Sequence, residues 1–300
     1  MNEVKSQRIA WIGLGKMGFP MAEHLVKAGF PMSVLSTSPK AEAVTGPTVH
    51  AADSAKEAAA EADIVFSMIP DDDVLQQICL GEDGTFNAMK PGSIHVDMST
   101  VSPAGSAVVA EAAVKSDVRY LRAPVSGSTN LAEAGVLTIL ASGPRDAYDA
   151  CTEAFEAMGK NLFYLGEREE ARYLKLLLNM MVGATSAVVA EALTFGERGG
   201  IDWNQMIDVI SGSALSSPLI NHKAPALKDR NFDPAFSASQ MAKDFNLILN
   251  TGREMNVPMP VAAIVREYWG TMMGQGKGDL DFFGLVTVVE GMAGLAGTEK

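Results

Sequence analysis

The chain has 300 residues, a net charge of −12 and a composition that is 47% hydrophobic and 20% charged. That is enough apolar chain for one or two folded domains, and an acidic balance with no basic run or basic-aromatic interleaving argues against a nucleic-acid surface. Cys79 and Cys151 are far apart and lack CxxC or Cys/His spacing. Neither a disulfide scaffold nor a zinc site is expected, and a reduced, cytoplasmic setting is the default.

The N-terminus, MNEVKSQRIAWIG, has no secretory pattern of charged, apolar and small-residue regions. The longest apolar run, from Leu176, is about fifteen residues and is interrupted by Asn179, short of the roughly 20 that span a bilayer. No membrane association is expected.

Arg8 to Ile12 reads as a short apolar strand, followed by Gly13-Leu14-Gly15-Lys16-Met17-Gly18 and a helical stretch from Phe19 to Ala28. Strand, GxGxxG, helix is the dinucleotide-binding order. Gly13 permits the tight turn, Gly15 lets backbone approach a pyrophosphate, and Gly18 lets helix pack closely on strand. A second strand, Pro31 to Leu35, ends in Ser36-Thr37-Ser38-Pro39-Lys40. No acid stands there to take ribose hydroxyls, and three hydroxyls with Lys40 can hold a 2′-phosphate, so NADP(H) is favoured over NAD(H). The same hydroxyls can equally just shape a turn.

Strands are predicted at Ile64 to Ile69, Ser93 to Met98, Arg119 to Ala123, Leu137 to Ser142 and Asn161 to Leu165. Helical stretches separate most of them: Ser54 to Ala62, Val74 to Cys79, Pro103 to Ser116 and Arg145 to Met158. The region Ala10 to Leu165 therefore reads as a doubly wound α/β sheet with its ligand crevice at the strand C-termini. Met68-Ile69-Pro70 and Ser99-Thr100 lie at two such ends, where they can border the adenosine and the nicotinamide. Asp71-Asp72-Asp73 invites a metal, but acids after Pro70 suit a helix start better, and no metal site is expected. Ser126-Gly127-Ser128 follows a strand and offers hydroxyls and backbone N–H groups, either as a carboxylate-binding nest or as a plain turn. His24, His50, His95 and His222 fall in no nucleophile or HExxH pattern and are read as structural.

Glu169 to Arg198 contains no proline, begins behind acids and stops at Gly199-Gly200, which predicts one long helix of roughly 45 Å. Two polar residues, Lys175 and Asn179, interrupt its apolar surface and share a face because they are four apart. Lys175 either snorkels to the surface or is a partly desolvated amine with a lowered pKa. Beyond it the chain reads as helical throughout: Trp203 to Ile210, Pro218 to Leu227, Ala238 to Met255, Val261 to Met273 and Leu280 to Leu295. The domains expected are residues 1–166, a nucleotide-binding Rossmann domain, and 167–300, an all-helical substrate and dimerisation domain. Lys243-Asp244, inside one of these helices, reads by itself as a solvated ion pair.

GLGKMGFPMAEHL, APVSGS, the Lys175-Leu-Leu-Leu-Asn179 pair and Lys243-Asp244 stand in order along nearly the whole chain, Ile9 to about Ala293. Together they resemble the β-hydroxyacid dehydrogenase family, which includes 3-hydroxyisobutyrate dehydrogenase, and within it the glyoxylate/succinic semialdehyde reductase branch. The resemblance implies a Rossmann domain joined through the long helix to a helical domain, a homodimer or homotetramer, and a small anionic substrate. It makes Lys175 the catalytic lysine and Asn179 its substrate-binding partner. Ser126, Gly127 and Ser128 take the substrate carboxylate, and Thr100 and Lys243 contact the nicotinamide end. That branch generally uses NADPH. The chain departs from the family at Arg122, where many members carry an acid and where substrate selection can change, and at Ser128, Met180 and the absent arginine near Ser36-Thr37-Ser38. Imine reduction or β-hydroxy-amino-acid oxidation on the same scaffold, and a non-catalytic cofactor-sensing module, are the alternatives.

Overall fold

Alternation along the first strand sets the layers. In β1 (Ile9–Ile12), Ile9 and Trp11 pack into one apolar cluster, while Ala10 and Ile12 pack into another on the opposite face. The structure, a computed structural model, describes residues 5–35, 40–44 and 46–295. The elements after β1 are α1 (Gly18–Lys27), β2 (Met32–Leu35), β3 (Val49–Ala52), α2 (Ala55–Ala60), β4 (Ile64–Ser67) and α3 (Asp72–Leu80). Then come β5 (Ile94–Asp97), α4 (Pro103–Lys115) and β6 (Arg119–Arg122). These six strands form one parallel sheet in the order β3-β2-β1-β4-β5-β6, the order of a nucleotide-binding doubly wound fold.

The chain continues through β7 (Val125–Ser126), α5 (Thr129–Glu133), β8 (Leu137–Ala141), α6 (Arg145–Met158) and β9 (Gly159–Tyr164). The first apolar cluster gathers Met21, Ala22 and Leu25 of α1 with Cys151, Ala154 and Phe155 of α6. The second gathers Ala58 and Ala59 of α2, Leu75 and Cys79 of α3 and Val109 of α4. Both faces of the sheet are covered, as a parallel sheet requires. Cys79 and Cys151 are free and buried.

Two sequence expectations change here. The strands at Leu137 and Asn161 do not extend the parallel sheet. They form a second, three-stranded sheet, β7-β8-β9, in which β7 pairs antiparallel with β8. Beyond β6 the chain runs on through Pro124, whose carbonyl accepts from Leu140 N (3.0 Å), and β8 returns antiparallel to it after Gly127 and α5. The strand β3 was not expected at all; its sequence, VHAA, is short, partly exposed and at the sheet edge, with little apolar alternation to announce it.

Past β9 every named element among the described residues is helical: α7 (Glu170–Arg198), α8 (Trp203–Gly212), α9 (Pro218–Asp229), α10 (Ala238–Glu254), α11 (Pro260–Gly274) and α12 (Val286–Met292). The stretch expected as one helix from Leu280 is instead a 3-10 turn, Phe282–Leu285, leading into α12. Asp281 explains the delay: Oδ1 accepts from Phe283 N (3.1 Å) while Oδ2 takes the ammonium of buried Lys223 (2.6 Å). The chain divides into two compact units, up to Leu176 and from Leu177, so the division falls inside α7. In the second unit a Cβ on Gly183 would lie 2.3 Å from a ring carbon of Phe245, so α7 and α10 touch there because the residue is glycine. By length and composition α7 is apolar enough to cross a membrane, contrary to the run-length expectation. In this fold it is a packing helix, anchored at its start by the buried arginine described below.

Two predictions follow from this packing. A Cβ on Gly18 would stand 1.9 Å from the Gly13 carbonyl oxygen, and neither backbone can yield, so Gly18→Ala should lower the unfolding free energy by about 1–3 kcal/mol in urea titrations. Burial pushes the His95 imidazole from 6.5 down to about 4, Asp97 opposing the shift and Arg172 assisting it. The unfolded chain therefore takes up a proton near pH 6.5 that the folded chain refuses until about pH 4. The native state should lose about 3 kcal/mol across that window as pH falls. Urea titrations at pH 7 and 4.5 should show a smaller loss for His95→Gln than for the parent.

Candidate functional site

The turn after β1 is tight at one glycine and open at another. Gly13 has φ +97° and no room for a side chain, since a Cβ would sit 2.1 Å from the Met68 carbonyl oxygen. Trp11 Nε1 donates to the Gly13 carbonyl (3.0 Å) and pins the turn from the core side. Gly15 is the opposite case: a Cβ there meets nothing within 4 Å, so its backbone borders open space. The helix that follows has no side-chain cap and no acid in its first turn. An N-terminus left in that state attracts an anion. The described residues of this turn therefore fit a dinucleotide pyrophosphate. Lys16, Met17 and Leu14 stand in the same turn, with Leu14 buried.

Neighbouring strand ends are stitched to this turn. Met68 N donates to Ile12 O (2.9 Å), and Met98 N donates to Ser67 O (2.8 Å). Ile69 N donates to Ser99 Oγ (2.9 Å). Thus Met68, Pro70 and Thr100 lie on loops at the C-terminal ends of β4 and β5, beside the glycine turn at the end of β1. The acid triplet acts as a helix start: Asp71 Oδ1 accepts from Val74 N (2.9 Å), and Asp72 accepts from Ser102 N (2.8 Å) and from its hydroxyl. Among the described residues no group of three or more His, Cys, Asp or Glu is placed to hold a metal ion. Ser36, Thr37 and Ser38 lie outside the described residues. Lys40, just past them, stands over the Phe19 ring at 5.2 Å.

Ser126 ends β7, paired with Thr138, and Gly127 has φ +144° with a Cβ position 2.7 Å from Leu137 Cδ2. Ser128 precedes α5 but does not cap it, and its hydroxyl oxygen is buried with no hydrogen-bond partner among the described residues. Arg122 is 6% exposed and engaged internally: Nε donates to Glu169 Oε1 (2.8 Å), Nη2 bonds the same oxygen, and the guanidinium covers the Tyr120 ring at 4.9 Å. Its charge is committed to Glu169.

On α7, Lys175 is half-buried and Asn179, one turn on, is 8% exposed. Asn179 Nδ2 donates to Asp244 Oδ2 (2.5 Å), and Lys243 Nζ stands 3.1 Å from Asp244 Oδ1. Asp244 is 1% exposed, so Lys243-Asp244 is no solvated pair. Asp244 is a buried carboxylate that orients the Asn179 amide, a role the sequence reading missed. Its only local signal was an acid on the inward face of α10.

Sequence reasoning also missed a buried network at the strand ends. Asp97, paired in register with Ser67 and Arg122, accepts from Ser67 Oγ (2.7 Å) and Ser99 Oγ (2.7 Å). Its other oxygen takes Arg172 Nη2 (2.5 Å), and both side chains are fully buried. Arg172 also donates to the Ser99 carbonyl (2.8 Å), Ser106 Oγ (3.1 Å) and the Tyr120 hydroxyl (3.1 Å). Burial works against the guanidinium charge, but Asp97, Tyr120 and Glu169 outweigh it and raise its pKa above the ordinary arginine value. Burial likewise lifts the Tyr120 phenol, leaving it neutral. Two shallow clefts of about 240 and 250 Å³, one along Lys90 and Arg119 and one along Arg8 and His50, carry none of the expected site residues.

Residues 8–166 match the family described as the NAD-binding domain of 6-phosphogluconate dehydrogenase, and 170–289 match the NAD-binding region of NADP-dependent 3-hydroxyisobutyrate dehydrogenase. Glyoxylate/succinic semialdehyde reductase 2 of Arabidopsis thaliana, a chloroplastic protein, is 30% identical over 96% of this chain and 81% of its own. The cytokine-like nuclear factor N-PAC of Xenopus tropicalis is 32% identical over 92% of this chain and 52% of its own, so the chain spans about half the length of that relative. Among solved structures, 3-hydroxyisobutyrate dehydrogenase of Mycobacterium tuberculosis with L-serine superposes with a TM-score of 0.86 at 26% identity, covering 95% of this chain and 99% of that one.

The open space at Gly15 gives a prediction that separates binding from folding. Gly15→Ala should leave the melting temperature unchanged, because its methyl meets no protein atom. It should weaken nicotinamide dinucleotide binding about tenfold or more by crowding the pyrophosphate; fluorescence titration beside thermal melting reads both.

Proposed function

We propose a reaction for a chain that belongs to the 3-hydroxyisobutyrate dehydrogenase-like family of NAD(P)-binding oxidoreductases. The reaction is reversible hydride transfer between the nicotinamide and a small β-hydroxyacid or the corresponding semialdehyde. When bound, the cofactor supplies the hydride chemistry; the protein's own residues hold the substrate and move the proton.

The observation that carries this reading is the polar pair on α7, Lys175 with an Asn179 that buried Asp244 aims. Reduction of a carbonyl builds negative charge on its oxygen, and a lysine ammonium there stabilises that charge and donates the proton. In the reverse direction the neutral amine accepts the hydroxyl proton. One Asn179 amide hydrogen goes to Asp244, which fixes the amide so that its oxygen can accept from a substrate hydroxyl. Ser126, the Gly127 backbone and the unpartnered Ser128 hydroxyl suit the substrate carboxylate. Thr100 and Lys243 are assigned to the nicotinamide end.

NADP(H) is the preferred cofactor in this reading. The match of 170–289 to an NADP-dependent family supports it, as does Lys40 beside the hydroxyl-rich Ser36, Thr37 and Ser38. The structural neighbour solved with L-serine supports keeping the β-hydroxy-amino-acid alternative among the candidate substrates. A second reading keeps the fold as a cofactor-sensing module without turnover, since the N-PAC relatives are named as nuclear factors and not as dehydrogenases or reductases.

Turnover by the parent decides between them, and Lys175→Ala tests the proton carrier. Assayed with glyoxylate, succinic semialdehyde and L-serine, the parent should turn over at least one substrate, with NADPH or NADP favoured over NADH or NAD. The variant should lose about 100-fold or more in kcat, while its cofactor Kd stays within about twofold. A parent that binds cofactor but turns over none of these supports the sensing module, and a variant with near-parental kcat removes Lys175 from the chemistry.

A further inference from the structure

A buried arginine three residues before the proposed proton carrier bridges the helix that carries Lys175 to the loop that carries Thr100. Arg172 and Lys175 both sit in the opening turns of α7, within the first unit. The Arg172 guanidinium grips Asp97 at the end of β5 and the Ser99 carbonyl two residues on. Thr100 is the next residue after Ser99. Ser99 is itself held from both sides, its hydroxyl donating to Asp97 and accepting from Ile69 N. The Arg172 contacts on Ser106 and Tyr120 come from α4 and β6, so one side chain meets three elements of the sheet layer.

A single forked group held at four points fixes both the rotation of a helix about its axis and its position along that axis. Successive residues in a helix are about 100° apart, so a slip of one residue would turn Lys175 about 100° from its direction. Arg122–Glu169 restrains the segment just before α7 from the β6 side, and Ser142 Oγ accepts from Ala171 N (3.2 Å). The first contact holds the approach to the helix, and the second holds the backbone of its first turn. Of these three restraints, the one through Arg172 reaches the Ser99 carbonyl.

We propose that the Arg172–Asp97 pair is the positioning device of the reaction: it sets the Lys175 side chain and the Thr100 loop in a fixed relation, and disturbing it slows the chemical step without weakening cofactor binding. The inference rests on the assignment of Lys175 as proton carrier. Arg172 and Asp97 are positioning residues and touch neither substrate nor cofactor.

The test uses three variants of the full chain. Arg172→Met leaves Asp97 as an uncompensated buried charge and should lower both melting temperature and kcat. Arg172→Met combined with Asp97→Asn removes both charges while keeping an acceptor for Ser67 and Ser99. That double variant should regain most of the melting temperature and keep cofactor Kd within about twofold of the parent, yet stay about 100-fold low in kcat. With C4-deuterated NADPH and succinic semialdehyde or glyoxylate, its isotope effect on kcat should exceed the parent's, since hydride transfer has become the slow step. Recovery of kcat together with melting temperature, or a lowered kcat with no larger isotope effect, overturns the proposal.

Should the double variant not fold, Arg172→Lys decides. One ammonium cannot serve Asp97, the Ser99 carbonyl, Ser106 and Tyr120 at once, so kcat should fall with a raised isotope effect and an unchanged cofactor Kd; a parental kcat overturns the proposal. Lys175→Ala, run in parallel, separates the two inferences. If it retains turnover the proton-carrier assignment fails, whereas a dead Lys175→Ala beside a fully active Arg172 variant defeats the positioning claim alone.

Discussion

A full positive charge and a full negative charge meet at the C-terminal edge of the parallel sheet with no exposure to solvent. The hydrogen bonds that water would supply to Arg172 and Asp97 come from protein partners instead: two serine hydroxyls on the carboxylate, and a carbonyl, a hydroxyl and a phenol on the guanidinium. Such a pair is weak evidence for stability, since its desolvation cost is comparable with its attraction, but breaking it from one side costs roughly 3–5 kcal/mol. The arrangement therefore acts as a latch. It tolerates one geometry, and that geometry joins the end of β5, the start of α4, the strand β6 and the opening of α7.

The parallel strand order explains why the latch sits where ligand chemistry is expected. All six strands of the main sheet point their C-terminal ends the same way, and the loops there carry the glycine turn, Met68 to Pro70 and Ser99 to Thr100. The register stacks Ser67, Asp97 and Arg122 on one rung at that edge. Their side chains lie on the same face of the sheet as Tyr120 and His95, so one buried face is apolar near its middle and polar at its functional end. In the second unit a smaller polar chain, Lys243 to Asp244 to Asn179, gives an amide on α7 a fixed direction.

Much of this was legible in the residues, and the unread parts have physical reasons. Gly13 and Gly18 were readable because their backbone positions leave no room for a side chain, a Cβ falling 2.1 Å and 1.9 Å from a carbonyl oxygen, whereas Gly15 borders open space. Lys175 and Asn179 stood out as polar breaks in an apolar helix. Asp97 and Arg172 did not, because an acid closing a strand and an arginine in a first helical turn are ordinary surface features, and only the fold brings them together across 75 positions. Asp244 was hidden for a similar reason: beside Lys243 it reads as a solvated pair, and only packing against α7 buries it. The edge strand β3 lacked apolar alternation, and the separate sheet β7-β8-β9 arises because the chain turns back through Gly127 and α5 to pair β8 antiparallel with β7, which strand spacing does not encode.

The proposed chemistry depends on where one amine stands when both ligands are present. A crystal structure of the chain with NADP and a substrate acid tests it most directly. The account predicts the Lys175 ammonium within about 3 Å of the reacting oxygen, the distance a proton donor requires, with Arg172 still bridging Asp97 and the Ser99 carbonyl. A complex in which that amine faces bulk solvent, and another group meets the reacting oxygen, would contradict it.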